Sequence, residues 1–249
     1  MTKPIDPAEL TIKIFADGAD LDGIREMAAN PMIRGFTTNP TLMRMAGVAD
    51  YKAFALEALA IVTDRPISFE VFADDFDEME DQALEIASWG DNVNVKIPIT
   101  NTRGESAVPL VRRLSGKGVT VNVTAMFTLD HVDSIVDVLD AKTPAILSVF
   151  AGRVADSGRD PVPHMKSAVE IARTKPNAVV LWASPRELLN IYQADAVGCG
   201  IITVTNDILR KLSGIGKDLD AFSLETVKMF HDDAYAAGYG IDTGTATST

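Results

Sequence analysis

The chain holds a single cysteine, Cys199, in 249 residues. An internal disulfide is therefore excluded, a reducing compartment is expected, and Cys199 itself is expected to be a small buried hydrophobe. Cationic residues are in deficit, 23 Lys and Arg against 35 Asp and Glu, for a formal net charge of -12. That field repels nucleic acid and anionic membrane, so neither is an expected partner, and an anionic small molecule would need a local cluster of arginines. No apolar run reaches membrane-spanning length, and the first six residues lack the apolar core of a signal peptide; a cytoplasmic location is expected. His131, His164 and His231 lie far apart without ligand spacing, so no metal is expected. The acidic run at residues 74–81 lacks the turn glycine of a calcium loop and reads as the solvated, dipole-favoured start of a helix. Residues 214–217 are too short for a P-loop, and no Gly-x-Gly-x-x-Gly follows the first strand candidate.

What is present is an alternation repeated eight times. Short apolar runs at residues 11–17, 33–39, 67–72, 92–97, 119–124, 145–150, 178–184 and 200–204 read as strands. Amphipathic stretches at 21–29, 51–62, 76–89, 107–114, 129–139, 165–173, 186–193 and 207–212 read as helices. Eight β-then-α units in a chain of this length predict an α/β protein, a single (β/α)8 TIM barrel over residues 1–240, in preference to an open doubly wound sheet. An additional C-terminal helix near 224–237 has no strand to cover, and residues 241–249 are expected to be a flexible tail.

The strand Asn92-Val93-Asn94-Val95-Lys96-Ile97-Pro98 sharpens the reading. Its period of two puts Val93, Val95 and Ile97 on one face and Asn94 and Lys96 on the other. A lysine there either snorkels to water or is desolvated, so that its free amine can attack a carbonyl and form a Schiff base. Other strands favour the second reading. Thr120, Asn122 and Thr124 oppose Val119, Val121 and Val123; Ser68, Glu70 and Phe72 oppose Ile67, Phe69 and Val71; Lys13, Phe15 and Asp17 oppose Ile12, Ile14 and Ala16; Ser148 and Phe150 oppose Leu147 and Val149. Asp17, Asn39, Glu70, Lys96, Asn122, Thr124 and Ser148 thus converge from six strands on the C-terminal mouth, where barrels assemble their active sites. Such a polar constellation destabilises a core unless it performs chemistry.

These residues carry a resemblance that spans Lys13 to Asp207. Phe15-Ala16-Asp17, Gly35-Phe36-Thr37-Thr38-Asn39-Pro40-Thr41-Leu42, Ser68-Phe69-Glu70-Val71, Asn94-Val95-Lys96-Ile97-Pro98, Asn122-Val123-Thr124, Ser148-Val149-Phe150-Ala151-Gly152-Arg153 and Ala183-Ser184-Pro185-Arg186, in this order, resemble the transaldolases of the class I aldolase superfamily. The resemblance implies a Schiff base on Lys96 and a catalytic water held by Glu70 and Thr124. It also implies Asp17 as base on the C4 hydroxyl, Asn39 and Asn122 on substrate hydroxyls, and Ser148 at the C1 end. Arg153, Ser184 and Arg186 would hold a phosphate, while Arg159 reads as a solvated loop arginine.

No cofactor is implied, because the protonated imine serves as the electron sink. The expected partners are small-molecule sugar phosphates and further copies of the chain in a homo-oligomer. Related fructose-6-phosphate aldolases resemble a pattern with Gln at position 70 and Tyr at 150; here Glu70 and Phe150 match the transaldolase choice. Pro185 departs from the Phe of many transaldolases, which leaves the acceptor open to an altered sugar. A binding barrel that keeps the pocket without turnover is the rival of a different class.

Overall fold

The computed structural model describes residues 6–243. Of the expected tail, residues 244–249 lie outside the described residues. Eight strands alternate with helices. They are β1 (Lys13–Asp17), β2 (Ile33–Thr37), β3 (Ile67–Glu70), β4 (Val93–Pro98), β5 (Val121–Met126), β6 (Ala145–Val149), β7 (Ala178–Trp182) and β8 (Ile201–Thr205). Each pairs in parallel with the next, and β8 closes on β1, so the sheet is a barrel in sequential order.

The first five helices are α1 (Leu21–Ala28), α2 (Pro40–Met45), α3 (Tyr51–Ile61), α4 (Phe76–Ala87) and α5 (Val108–Gly116). The next five are α6 (Leu129–Val136), α7 (Ala151–Asp156), α8 (Pro161–Ala172), α9 (Leu189–Ala196) and α10 (Asn206–Leu209). Residues 7–212 make one compact unit, the barrel. The additional helix, α11 (Leu219–Ala236), belongs to a second unit and exposes Leu219, Phe222, Val227, Met229 and Phe230.

Local chemistry starts the helices where they start. Asp20, Asn39, Asp50, Asp75, Thr128 and Asp160 each precede a helix and accept a backbone N–H of its first turn through the side chain. Asp75 with Asp77 and Glu78 makes the acidic run a helix N-terminus, as expected. On the strand face turned to the helices, Val95, Ile97, Val121, Val123, Leu147 and Val149 are fully buried. Each contributes on the order of 1.5–3 kcal/mol of apolar burial. Cys199 is buried and free, and burial pushes its thiol up to about 12.

Several boundaries differ from the sequence reading, and four of them have a clear local cause. The helix expected from residue 165 begins at Pro161, because Asp160 caps it and proline suits the first helical position. The helix expected from residue 186 begins only at Leu189: Ser184 has φ +60°, and Asn190 Oδ1 accepts from the amides of Arg186 and Glu187. The fifth strand runs two residues further, through a break in the β5–β6 register at Ala125, whose φ is +58°. The second strand stops at Thr37, so Asn39 is the cap of α2 instead of a strand residue.

Candidate active site

The inward strand faces meet one another through hydrogen bonds, and these bonds define the site. Lys96 stands on β4 opposite Glu70 of β3. Its side chain is 8% exposed and that of Glu70 16%, and Nζ lies 2.9 Å from Glu70 Oε2. The same amine donates to the Thr38 carbonyl at 2.7 Å. A lysine in this position has its charge compensated by one carboxylate and one carbonyl, and Glu70 is placed to accept a proton from it directly.

Asp17 ends β1, half-buried. Its Oδ1 accepts from Thr37 Oγ1 at 2.8 Å. Because that hydroxyl proton is committed to Asp17, the Thr203 hydroxyl of β8 is left to donate to Thr37. Burial holds the Asp17 carboxyl above its ordinary value near 3.8, against the opposing effects of Lys96, Thr37 and Asn39. Asn39 is therefore used twice, toward Asp17 and as the cap of α2 through Leu42 N at 2.9 Å. Asp17 also lines a cavity of about 360 Å³ with Gly18, Phe36, Leu42, Thr205, Asn206 and Asp207.

A third group crosses the barrel interior. Ser148 Oγ of β6 donates to Asn122 Oδ1 at 2.6 Å, and Asn122 Nδ2 donates to Ser68 Oγ of β3 at 3.2 Å. All three side chains are buried. Asn122 sits opposite Lys96 in the β4–β5 register, and Thr124, also buried, lies two residues further toward the C-terminal mouth.

At the rim, the turns after β6 and β7 are packed into each other. A Cβ on Gly152 would fall 1.5 Å from the Ser184 carbonyl oxygen, so no other residue fits there. Gly152 N donates to the Ala183 carbonyl at 3.3 Å. The left-handed backbone of Ser184 costs on the order of 1–3 kcal/mol in a non-glycine residue, and strain of this kind concentrates at functional turns. Phe150 packs on Phe127 with ring centroids 5.7 Å apart, and the Arg153 guanidinium lies 5.5 Å above the Phe150 ring. Arg153 is exposed. Arg186 points its fork at Asp156 on α7: Nε donates to Oδ1 at 2.9 Å, and Nη2 to Oδ2. The Arg186 guanidinium holds the Asp156 carboxyl below its usual range. Arg159 is exposed and donates to Ser157 Oγ at 2.8 Å.

The model of the transaldolase/fructose-6-phosphate aldolase family matches residues 14–247. The chain belongs to that family. It is 38% identical over 202 residues to a probable transaldolase of Roseiflexus sp., a match covering 80% of this chain and 88% of the relative. It is 33% identical over 202 residues to a probable transaldolase of Dehalococcoides mccartyi, covering 81% of this chain and 90% of the relative. Among solved structures, KGPDC from Streptococcus mutans superposes with a TM-score of 0.51 at 11% identity, over 79% of this chain and 88% of that one. That likeness concerns the barrel fold alone.

For a member of the transaldolase/fructose-6-phosphate aldolase family, the gathered set is Lys96, Glu70, Asp17, Asn39, Asn122 and Ser148, with Thr124 above them. Arg153, Ser184 and Arg186 stand apart at the rim, and Arg186 is engaged by Asp156. Sequence reading assigns no role in the site to Thr37, Thr203 or Ser68. Strand parity carried a signal for all three, since Phe15 pairs with Thr203, Asp17 with Thr37, and Ser68 shares the face of Glu70. A cavity of about 590 Å³ at the N-terminal ends of the strands, with Lys13, Asn94, Thr120 and Ile201 in its wall, includes none of these residues. Among the described residues, no group of three or more His, Cys, Asp or Glu could hold a metal ion, and no helix is long and apolar enough to cross a membrane.

Proposed function

We propose that the protein is a transaldolase, transferring a dihydroxyacetone unit from a ketose phosphate, fructose 6-phosphate or sedoheptulose 7-phosphate, to an aldose phosphate through a Schiff base on Lys96. The observation that carries this reading is the buried Lys96 Nζ held 2.9 Å from Glu70 Oε2 inside the barrel.

In this reading one ammonium proton passes from Lys96 to Glu70, and the free amine adds to the C2 carbonyl. Glu70 then returns the proton to the carbinolamine hydroxyl, directly or through a water held with Thr124, and water leaves to give the iminium. Asp17 takes the C4 hydroxyl proton. The C3–C4 bond breaks, its electron pair moves into the iminium to form the enamine, and the shortened aldose phosphate departs. The enamine attacks the acceptor aldehyde, and the steps run in reverse. The Ser148–Asn122 pair suits the C1 and C3 hydroxyls, and Asn39, already directed at Asp17, suits the C4 hydroxyl. No metal or organic cofactor enters, because the iminium is the electron sink.

The second reading, an aldolase that releases free dihydroxyacetone, shares every step up to the enamine. Turnover of fructose 6-phosphate with and without erythrose 4-phosphate separates the two. A transaldolase stalls after one equivalent without acceptor and turns over continuously with it. Equal continuous turnover in both would establish the lyase.

The rim arginines fit the phosphate, but Arg186 must exchange Asp156 for it. Asp156→Asn is therefore expected to lower KM for the phosphorylated donor about threefold with kcat unchanged, an exposed ion pair being a weak competitor. A raised KM would show that Asp156 orients Arg186 instead of competing for it. The exposed apolar residues of α11 fit the homo-oligomer expected from the sequence, and sedimentation velocity distinguishes that assembly from a single copy.

A further inference from the structure

The β2–β3 ladder breaks beside Glu70, and what fills the break points to a residue the proposed mechanism has not used. Regular parallel rungs run from Phe36 N to the Pro66 carbonyl at 2.8 Å and from Thr38 N to the Ser68 carbonyl at 3.1 Å. The next rungs of such a ladder would join Glu70 N–H to the Thr38 carbonyl, and the amide of residue 40 to the Glu70 carbonyl. Residue 40 is proline, which has no N–H, and the chain has already turned into α2.

Both orphaned groups of Glu70 are taken by one hydroxyl. Glu70 N donates to Tyr51 Oη at 2.8 Å, and Tyr51 Oη donates to the Glu70 carbonyl at 2.8 Å. The Thr38 carbonyl, freed by the same break, accepts from Lys96 Nζ at 2.7 Å. One interruption in the sheet thus releases a carbonyl for the lysine and hands the backbone of its carboxylate partner to Tyr51.

Tyr51 is itself held firmly. It opens α3 directly after the Asp50 cap. Its ring meets Phe72 edge-on at 4.5 Å, Phe69 at 6.3 Å and Trp89 at 5.8 Å between centroids. We infer that Tyr51 is a positioning residue for the reaction: by clamping both backbone groups of Glu70, it fixes the carboxylate against Lys96. The inference rests on Glu70 being the proton shuttle proposed above. Burial pushes the Tyr51 hydroxyl well above its ordinary value, so the clamp keeps its proton throughout the working pH range.

Tyr51→Phe removes the hydroxyl and keeps the ring. With fructose 6-phosphate and erythrose 4-phosphate as substrates, it is expected to lower kcat about tenfold and leave KM within about twofold, since acid–base catalysis depends on placement while substrate contacts are untouched. The deciding measurement is the double-variant cycle with Glu70→Ala. If Tyr51 acts through Glu70, Tyr51→Phe lowers kcat less than about twofold further once Glu70 is gone. Losses that multiply, or a kcat unchanged in Tyr51→Phe while Glu70→Ala is slow, would overturn the positioning role. If Glu70→Ala alone keeps full turnover, the shuttle assignment fails first and the inference falls with it, a distinct result. Should Tyr51→Phe not fold, Tyr51→His, which keeps a polar ring atom toward Glu70, goes through the same cycle with the same outcomes.

Discussion

Lys96→Ala is expected to lower transfer between fructose 6-phosphate and erythrose 4-phosphate by more than about 10⁴-fold while the protein still folds. The catalytic loss follows from removing the only group in the proposed mechanism that forms a covalent bond to substrate. Survival of the fold follows from the surroundings. Glu70 loses its partner but its side chain is 16% exposed, so it can take up water or a proton, and its backbone stays clamped by Tyr51. The stability cost is expected to be on the order of 1–3 kcal/mol for each of the two groups that lose this partner, the Glu70 carboxylate and the Thr38 carbonyl. Thermal melting beside the transfer assay checks both parts. Turnover within tenfold of the parent would remove Lys96 from the mechanism, and loss of the fold would assign the Lys96–Glu70 pair to stability.

The second large effect is at Asp17. Asp17→Asn keeps an oxygen acceptor for Thr37 but cannot take a proton, so kcat should fall about 10²- to 10⁴-fold. Imine formation, which belongs to Lys96 and Glu70, should persist. Borohydride should then trap the full ketose phosphate on the variant, whereas the parent traps the three-carbon fragment.

The pH dependence has a defined sign. The native carboxyl is raised above 3.8, chiefly by burial, so the folded state holds this proton more tightly than the unfolded chain. The stability it contributes is present at acid pH and is lost as pH rises from the unfolded value through the raised native one. Asp17→Asn should therefore melt at or above the parent temperature at neutral pH, and the advantage should shrink toward pH 4. The acid limb of kcat/KM in the parent should lie above the ordinary carboxylate range. A variant that is active, or whose melting advantage over the parent is smaller at neutral than at acid pH, would contradict the assignment.

Much of the site was legible because strand parity is a strict rule. In Asn94-Val95-Lys96-Ile97, an apolar outer face leaves only inward positions for the polar residues, and the same reasoning placed Asp17, Glu70, Asn122 and Ser148. Their mutual bonds are the structural counterpart of that pattern. The barrel followed from eight alternations of strand and helix. Two short helices were missed for different reasons. Asn39-Pro40 is a cap followed by a proline at the first helical position, a signal that was present but was absorbed into the strand before it. The helix Ala151–Asp156 begins without any side-chain cap, directly after β6.

The pairing of Arg186 with Asp156 could not be read, because it joins residues 30 apart through two turns locked at Gly152. The clamp of Tyr51 on Glu70 had only an indirect signal, the proline at position 40 that cannot supply the next rung of the sheet.

The most direct measurement is intact-mass and peptide analysis after borohydride reduction in the presence of fructose 6-phosphate. The Schiff-base mechanism predicts one three-carbon adduct per chain, mapped to Lys96 and absent from Lys96→Ala. An unmodified chain, or an adduct on another lysine, would contradict it.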